Sequence, residues 1–185
     1  MLQLLIYDSS AELPRELASE IRSVLLAEWP GPEVDDTSES LIDPALHPVY
    51  FILADGNRLR SYARTIWARV AHQDQHFKLY GLGDVITVPQ YRRKGYGGRI
   101  VQEATAHIRS DQTADAAVLL AQPRLVALYS QSGWECVPGL RVMSGERDGH
   151  MTSDVIPMMM FLSATAQAAR AGFASQTLVL PGDEW

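Results

Sequence analysis

The stretch Val85-Ile-Thr-Val-Pro-Gln-Tyr-Arg-Arg-Lys-Gly-Tyr-Gly-Gly-Arg-Ile100 limits most tightly what this chain can fold into. An apolar, β-branched run ends at a proline, a basic loop turns, glycines follow, and a helical pattern begins. From Gly97 to Ile108, the residues Ile100, Val101, Ala104 and Ile108 share one helical face. A strand feeding a helix through a glycine turn implies an α/β fold. Glycines let the main chain turn tightly and bring bare N–H groups close to a ligand. The first N–H groups of a helix lack partners within it, and together with the helix dipole they attract anions. Arg92, Arg93, Lys94 and Arg99 add full positive charges, in a chain whose net charge is -6. A basic cluster beside glycines in an acidic protein points to a dedicated anion site, best read as a pyrophosphate cradle.

Composition narrows the partners. With 185 residues, 46% of them hydrophobic and 21% charged, the chain suits one sizeable domain and is short for two. We therefore expect a single domain over residues 1–185. No apolar run approaches the ~20 residues that span a bilayer, so no membrane partner is expected. Leu2 to Tyr7 follows Met1 without a basic region, so no secretory signal is expected. Cys136 is the sole cysteine, which excludes an intrachain disulfide and a cysteine-based zinc site and suits the cytoplasm. Acidic balance argues against a nucleic-acid partner, which usually meets a basic face.

The remaining pattern reads as alternating elements. Strands are expected at Leu2 to Tyr7, Val49 to Ala54, Arg58 to Val70, His76 to Val88, Ala116 to Ala121, Trp134 to Met143 and Pro157 to Leu162. Asp55-Gly56-Asn57 is a hairpin turn. Helices are expected from Pro14 to Glu28, from Gly97 to Ile108 and briefly from Leu125 to Ser130, with a short one around Thr37 to Leu41. Glu33 to Pro48 is strongly acidic, as either a solvated loop or one wall of a cation site. His72 and His76 have a spacing that would suit a metal on a helix, but they fall on strand and turn with no third ligand. A lone strand cysteine such as Cys136 is most simply buried packing, as is Met158-Met159-Met160.

Spacing decides among phosphate sites. A nucleoside-triphosphatase loop needs Gly-x-x-x-x-Gly-Lys-Ser/Thr, and a dinucleotide fingerprint needs a third glycine that Gly95-Tyr-Gly-Gly-Arg-Ile does not supply. Instead, Arg92-x-x-Gly95-x-Gly97, after a hydrophobic strand and opening an amphipathic helix, resembles the acetyl-coenzyme A signature of the GNAT N-acetyltransferase superfamily. Ala127-Leu128-Tyr129-x-x-x-Gly133-Trp134 resembles that family's second motif. The loop through Pro89-Gln90-Tyr91 is one residue shorter than many members have.

The resemblance implies a mixed, mostly antiparallel sheet of about seven strands, flanked by helices and splayed between strands 4 and 5. It implies acetyl-coenzyme A as co-substrate, with no metal. Backbone amides of Arg93, Lys94, Gly95, Tyr96, Gly97 and Gly98 would bind the pyrophosphate. Backbone groups of Ile86 and Val88 would pair with the pantetheine arm, and Gly81 to Gly83 would shape a nearby bulge. Asp84 would serve as base or as anchor for the amine, and Tyr129 would protonate the departing thiolate. Within the superfamily, Asp84 just before the Ile-Thr-Val stretch, the Tyr129 to Trp134 segment and the tail Gly182-Asp183-Glu184-Trp185 are most similar to the aminoglycoside 2′-N-acetyltransferases. That similarity implies a cationic small-molecule amine as acceptor, met by Asp183 and Trp185, with Asp35 and Asp36 added by position. Members often pair, so a homodimer fits as well. A non-catalytic acyl-coenzyme A sensor or interaction module is the alternative.

Overall fold

The computed structural model describes residues 1–9, 12–30, 41–144, 155–182 and 185. The order of elements is β1 (Leu2–Tyr7), α1 (Arg15–Glu28), β2 (Val49–Asp55), β3 (Arg58–His72), β4 (Gln75–Thr87), α2 (Tyr96–Ser110), β5 (Ala116–Ala121), α3 (Val126–Ser130), β6 (Glu135–Cys136), β7 (Arg141–Ser144), β8 (Ile156–Phe161), α4 (Ala164–Ala168), α5 (Arg170–Ser175) and β9 (Thr177–Leu180). Seven strands form one sheet in the order β1-β2-β3-β4-β5-β8-β6, antiparallel except for β4 against β5. The helix expected around Thr37 to Leu41 lies almost wholly outside the described residues.

Two compact units emerge: Met1–Thr65 with Asp84–Ala104, and Ile66–Gly83 with Thr105–Trp185. In the first, α1 buries Leu17 and Ile21, the inward stripe that its spacing predicts. The β2–β3 hairpin turns at Gly56, whose φ of 59° suits glycine. Its register then shifts: Leu53 faces Ser61 while Ala54 faces Leu59, so Arg60 is the extra residue of a bulge. The Leu59 N–H donates to Glu20 Oε2 of α1 at 2.8 Å, which satisfies an amide beside the bulge.

The second unit has its own core, built on Phe77, Leu79, Val118, Met159, Phe173 and Leu178. Met158, Met159 and Met160 are buried on β8, as expected. Residues Leu79, Tyr80 and Gly81 of β4 pair in parallel with Ala116, Ala117 and Val118 of β5. The ladder ends at Gly81, although β4 runs on to Thr87 and β5 to Ala121. This is the parting between strands 4 and 5 that the sequence led us to expect.

Three expectations change. The long strand expected from Trp134 to Met143 is two short ones, because Pro138 lacks a ladder N–H and Gly139 turns the chain at φ 86°. The second of these, β7, pairs in parallel with β9 in a separate sheet. Helices α4 and α5 had no clear signal, since their alanine-rich run carries no apolar stripe. Ser163 nonetheless caps α4 by accepting from the Ala166 N–H at 3.1 Å. Cys136 is exposed rather than buried. His72 is buried on β3 and His76 is exposed on β4, and no metal-binding group of His, Cys, Asp or Glu occurs among the described residues.

Candidate active site

In the first unit, β4 hands the chain to the glycine turn. A short 3-10 turn at Pro89–Tyr91 folds it back, with Tyr91 N–H bonding Val88 O at 2.8 Å and Arg92 N–H bonding Pro89 O at 3.2 Å. Arg93 then takes a left-handed φ of 63° and Gly95 one of 80°. Alternating left-handed residues turn successive N–H groups into one concavity, the geometry of an anion nest. The first i→i−4 bond of α2 runs from Arg99 N–H to Gly95 O at 3.0 Å. The Tyr96, Gly97 and Gly98 amides therefore precede the helical ladder, and no hydrogen bond among the described residues uses any main-chain N–H from Arg93 to Gly98. A Cβ on Gly97 would lie 3.3 Å from Thr87 Oγ1, a tight contact that glycine avoids where α2 starts beside β4.

The basic residues divide their work. Arg92 braces the turn: its Nε donates to Thr87 O at 3.0 Å and its Nη2 meets Glu28 at 2.7 Å. Arg93 and Lys94 are exposed, with the Lys94 ammonium 5.6 Å from the Tyr91 ring centre. The other side of the loop is held by Arg60, whose guanidinium stacks 3.9 Å from that same ring.

The Val88 main-chain groups, expected to face the pantetheine arm, are engaged within the chain. Val88 N–H donates to Arg60 O at 3.1 Å and its carbonyl accepts from Tyr91, so neither group is left for a ligand. The Ile86 carbonyl accepts from Ser61 Oγ at 2.8 Å. Strand alternation then turns the Val85 and Thr87 N–H groups toward the opposite edge of β4. The irregularity in β4 also lies elsewhere than expected: Asp84 has the positive φ, 53°, while Gly81 and Gly83 do not.

Asp84 is not a lone carboxylate. Its Oδ2 accepts from Arg64 Nε at 2.5 Å, and the two side chains are 25% and 6% exposed. A guanidinium that deeply buried needs a counter-ion, and Asp84 supplies it. Beside this pair, Tyr62 is fully buried and its hydroxyl has no hydrogen-bond partner among the described residues. Burial first, and then the Asp84 charge, push its phenol well above the usual range. Sequence reasoning passed over Arg64 and Tyr62. An arginine inside an apolar strand run was the available signal, because such a charge is rarely buried unpaired.

In the second unit, Tyr129 stands on α3, and only 6% of it is exposed. Its hydroxyl has no partner among the described residues, and burial pushes the phenol up to about 12. Gly133, at φ 86°, ends the helix. Trp185 is not frayed: its indole packs against the second core, and its Nε1 donates to Pro181 O at 2.6 Å. A Cβ on Gly81 would come within 2.9 Å of that ring and 3.1 Å of Ile66, which explains a glycine there better than a bulge does. Asp35, Asp36 and Asp183 lie outside the described residues.

Residues 28–137 match the acetyltransferase (GNAT) domain, more than half of the chain. The chain belongs to the GNAT acetyltransferase family. No curated protein matches it as a relative. Among solved structures, a GNAT family N-acetyltransferase from Escherichia coli in complex with CoA is similar over 100% of this chain and 92% of its own, at TM-score 0.62 and 18% identity. An acyl-CoA N-acyltransferase from Pseudomonas aeruginosa is similar over 86% of this chain and 99% of its own, at TM-score 0.61 and 18% identity. A GNAT family acetyltransferase from Brucella melitensis in complex with acetyl-CoA covers 87% of this chain and 89% of its own, at TM-score 0.55 and 19% identity. These likenesses concern the GNAT fold, and the chemistry that goes with the family is acyl transfer. Among the described residues, no helix is long and apolar enough to cross a membrane.

Proposed function

We propose that the whole chain acts as one GNAT domain, moving an acetyl group from acetyl-coenzyme A to a primary amine by direct attack. The supporting observation is the run of unused N–H groups from Arg93 to Gly98 at the start of α2. A diphosphate there meets aligned amides, the positive end of a helix dipole and the charges of Arg93 and Lys94. The pantetheine arm would extend along the outer edge of β4, bonding the main chain of Val85 and the Thr87 N–H. Acetyl-coenzyme A supplies an acyl carbon activated by a thiolate leaving group. As the amine forms its C–N bond, the C–S bond breaks, the amine proton passes to water, and the sulfur takes a proton from Tyr129, which regains one from water.

Asp84 fits the anchor better than the base. One oxygen is engaged by Arg64, which fixes the carboxylate as an oriented anion for an ammonium group. A cationic small molecule, such as an aminoglycoside, is the acceptor class in this reading, with Asp35, Asp36, Asp183 and Trp185 as its remaining contacts. A cytoplasmic homodimer is the accompanying expectation.

Acetyl-coenzyme A at a hundred times its Kd should stabilise the fold by about 2.7 kcal/mol and raise the melting temperature by several degrees. A thermal shift at millimolar acetyl-coenzyme A checks this, and no shift would end the proposal. Thiol release is then followed with kanamycin, spermidine and simple alkylamines. Binding without release across that panel favours the non-catalytic acyl-coenzyme A sensor.

Tyr129→Phe should lower kcat about a hundredfold with little change in acetyl-coenzyme A affinity. Because its phenol is held at about 12, Tyr129 stays protonated to pH 10 and imposes no alkaline limb on kcat below that. Wild-type turnover in the variant would remove Tyr129 as the acid.

A further inference from the structure

The short helix that carries Tyr129 cannot fix that side chain unaided. Helix α3 has five residues, fewer than a self-supporting helix needs. Its orientation comes from how it ends. Gly133 N–H bonds Ser130 O at 3.0 Å and Trp134 N–H bonds Tyr129 O at 3.3 Å. With Gly133 left-handed, these are the two bonds of a Schellman motif, and the Tyr129 carbonyl is one of its acceptors.

Two residues of α2, one helical turn apart, grip that motif on either side of the glycine. Thr105 Oγ1 accepts from Trp134 Nε1 at 2.9 Å, in a contact where both residues are 2% exposed. Arg109 Nη2 donates to Ser132 O at 3.0 Å and lies 3.7 Å from Met160 Sδ. The fit is close enough that a Cβ on Gly133 would collide with the Arg109 guanidinium. Glycine is required here for its φ, and a larger residue would also displace the Arg109 guanidinium from its place.

We propose that Arg109 is a positioning residue for acyl transfer, holding the Ser132–Gly133 turn so that the Tyr129 hydroxyl keeps its place. The proposal rests on Tyr129 being the acid. Arg109 touches no reacting atom in this account. It acts through main chain that the tyrosine shares, and the tyrosine hydroxyl has no hydrogen-bond partner of its own among the described residues.

A double-mutant cycle with Tyr129 separates this role from a merely structural one. Thiol release from acetyl-coenzyme A is measured with kanamycin or spermidine, whichever turns over faster. Arg109→Met should lower kcat about tenfold while the KM for acetyl-coenzyme A changes less than about twofold. Arg109→Lys, which keeps a donor, should recover part of the loss. In a Tyr129→Phe background, Arg109→Met should lower kcat no further. An equal loss in both backgrounds, or no loss in the parent, overturns the proposal while leaving Tyr129 as the acid. Unchanged kcat in Tyr129→Phe alone removes the reading beneath it, and the proposal falls too. If Arg109→Met does not fold, Arg109→Gln takes its place in the same cycle.

Discussion

Asp84→Asn should lower the melting temperature by about 10 °C. The substitution is nearly isosteric, and asparagine tolerates the left-handed φ of 53° as well as aspartate does, so it isolates the charge. What remains is a guanidinium, 6% exposed, that has lost its ion pair with Asp84. Removing one partner of a buried pair costs about 3–5 kcal/mol, and the partial exposure of Asp84 places this case at the lower end. Each kcal/mol moves the midpoint of a chain this size by about 2–4 °C. Thermal unfolding followed by circular dichroism reads the effect. Arg64→Gln combined with Asp84→Asn should recover most of it, since neither charge is then left alone. A single substitution that shifts the midpoint by less than about 2 °C would show that Arg64 does not depend on Asp84. The same variant should raise the acceptor KM if the carboxylate anchors the amine.

The second large effect is expected at the cradle. Reversing both exposed charges, Arg93→Glu with Lys94→Glu, should weaken acetyl-coenzyme A binding about a hundredfold, or about 2.7 kcal/mol. The two side chains are exposed, and the turn is braced by Arg92 and Arg60 instead, so the melting temperature should stay within about 2 °C of the parent. Because the attraction is between exposed charges, the parent affinity should also fall as salt rises, and the variant should lose that dependence. Calorimetric titration at two salt concentrations checks both points. A loss of less than about threefold would place the diphosphate elsewhere.

The glycine turn was legible because it is local. Arg92, Gly95 and Gly97 lie within six residues of sequence, and Gly95 takes the left-handed φ that a glycine there allows. The hairpin at Gly56, the stripe on α1 and the compact strand β5 were legible for the same reason. Where the sequence misled, distant partners had decided the matter. Val88 looked like a ligand-facing strand residue, yet its amide is taken by the carbonyl of Arg60 in the neighbouring strand. Gly81 looked like a bulge, yet it is small because an indole from far along the chain rests on it.

From the sequence alone came the order of elements as far as α3, the glycine turn that opens α2 and the family to which the chain belongs, because periodicity and glycine spacing are properties of contiguous residues. Tertiary structure alone revealed that Asp84 is held by Arg64, that the β4 main chain presents Val85 and Thr87 outward, and that Arg109 clamps the turn behind Tyr129. Those facts depend on strand register and on side chains meeting across 20 or more positions of sequence. No local pattern encodes such meetings, because a one-residue change of register reverses which groups face which.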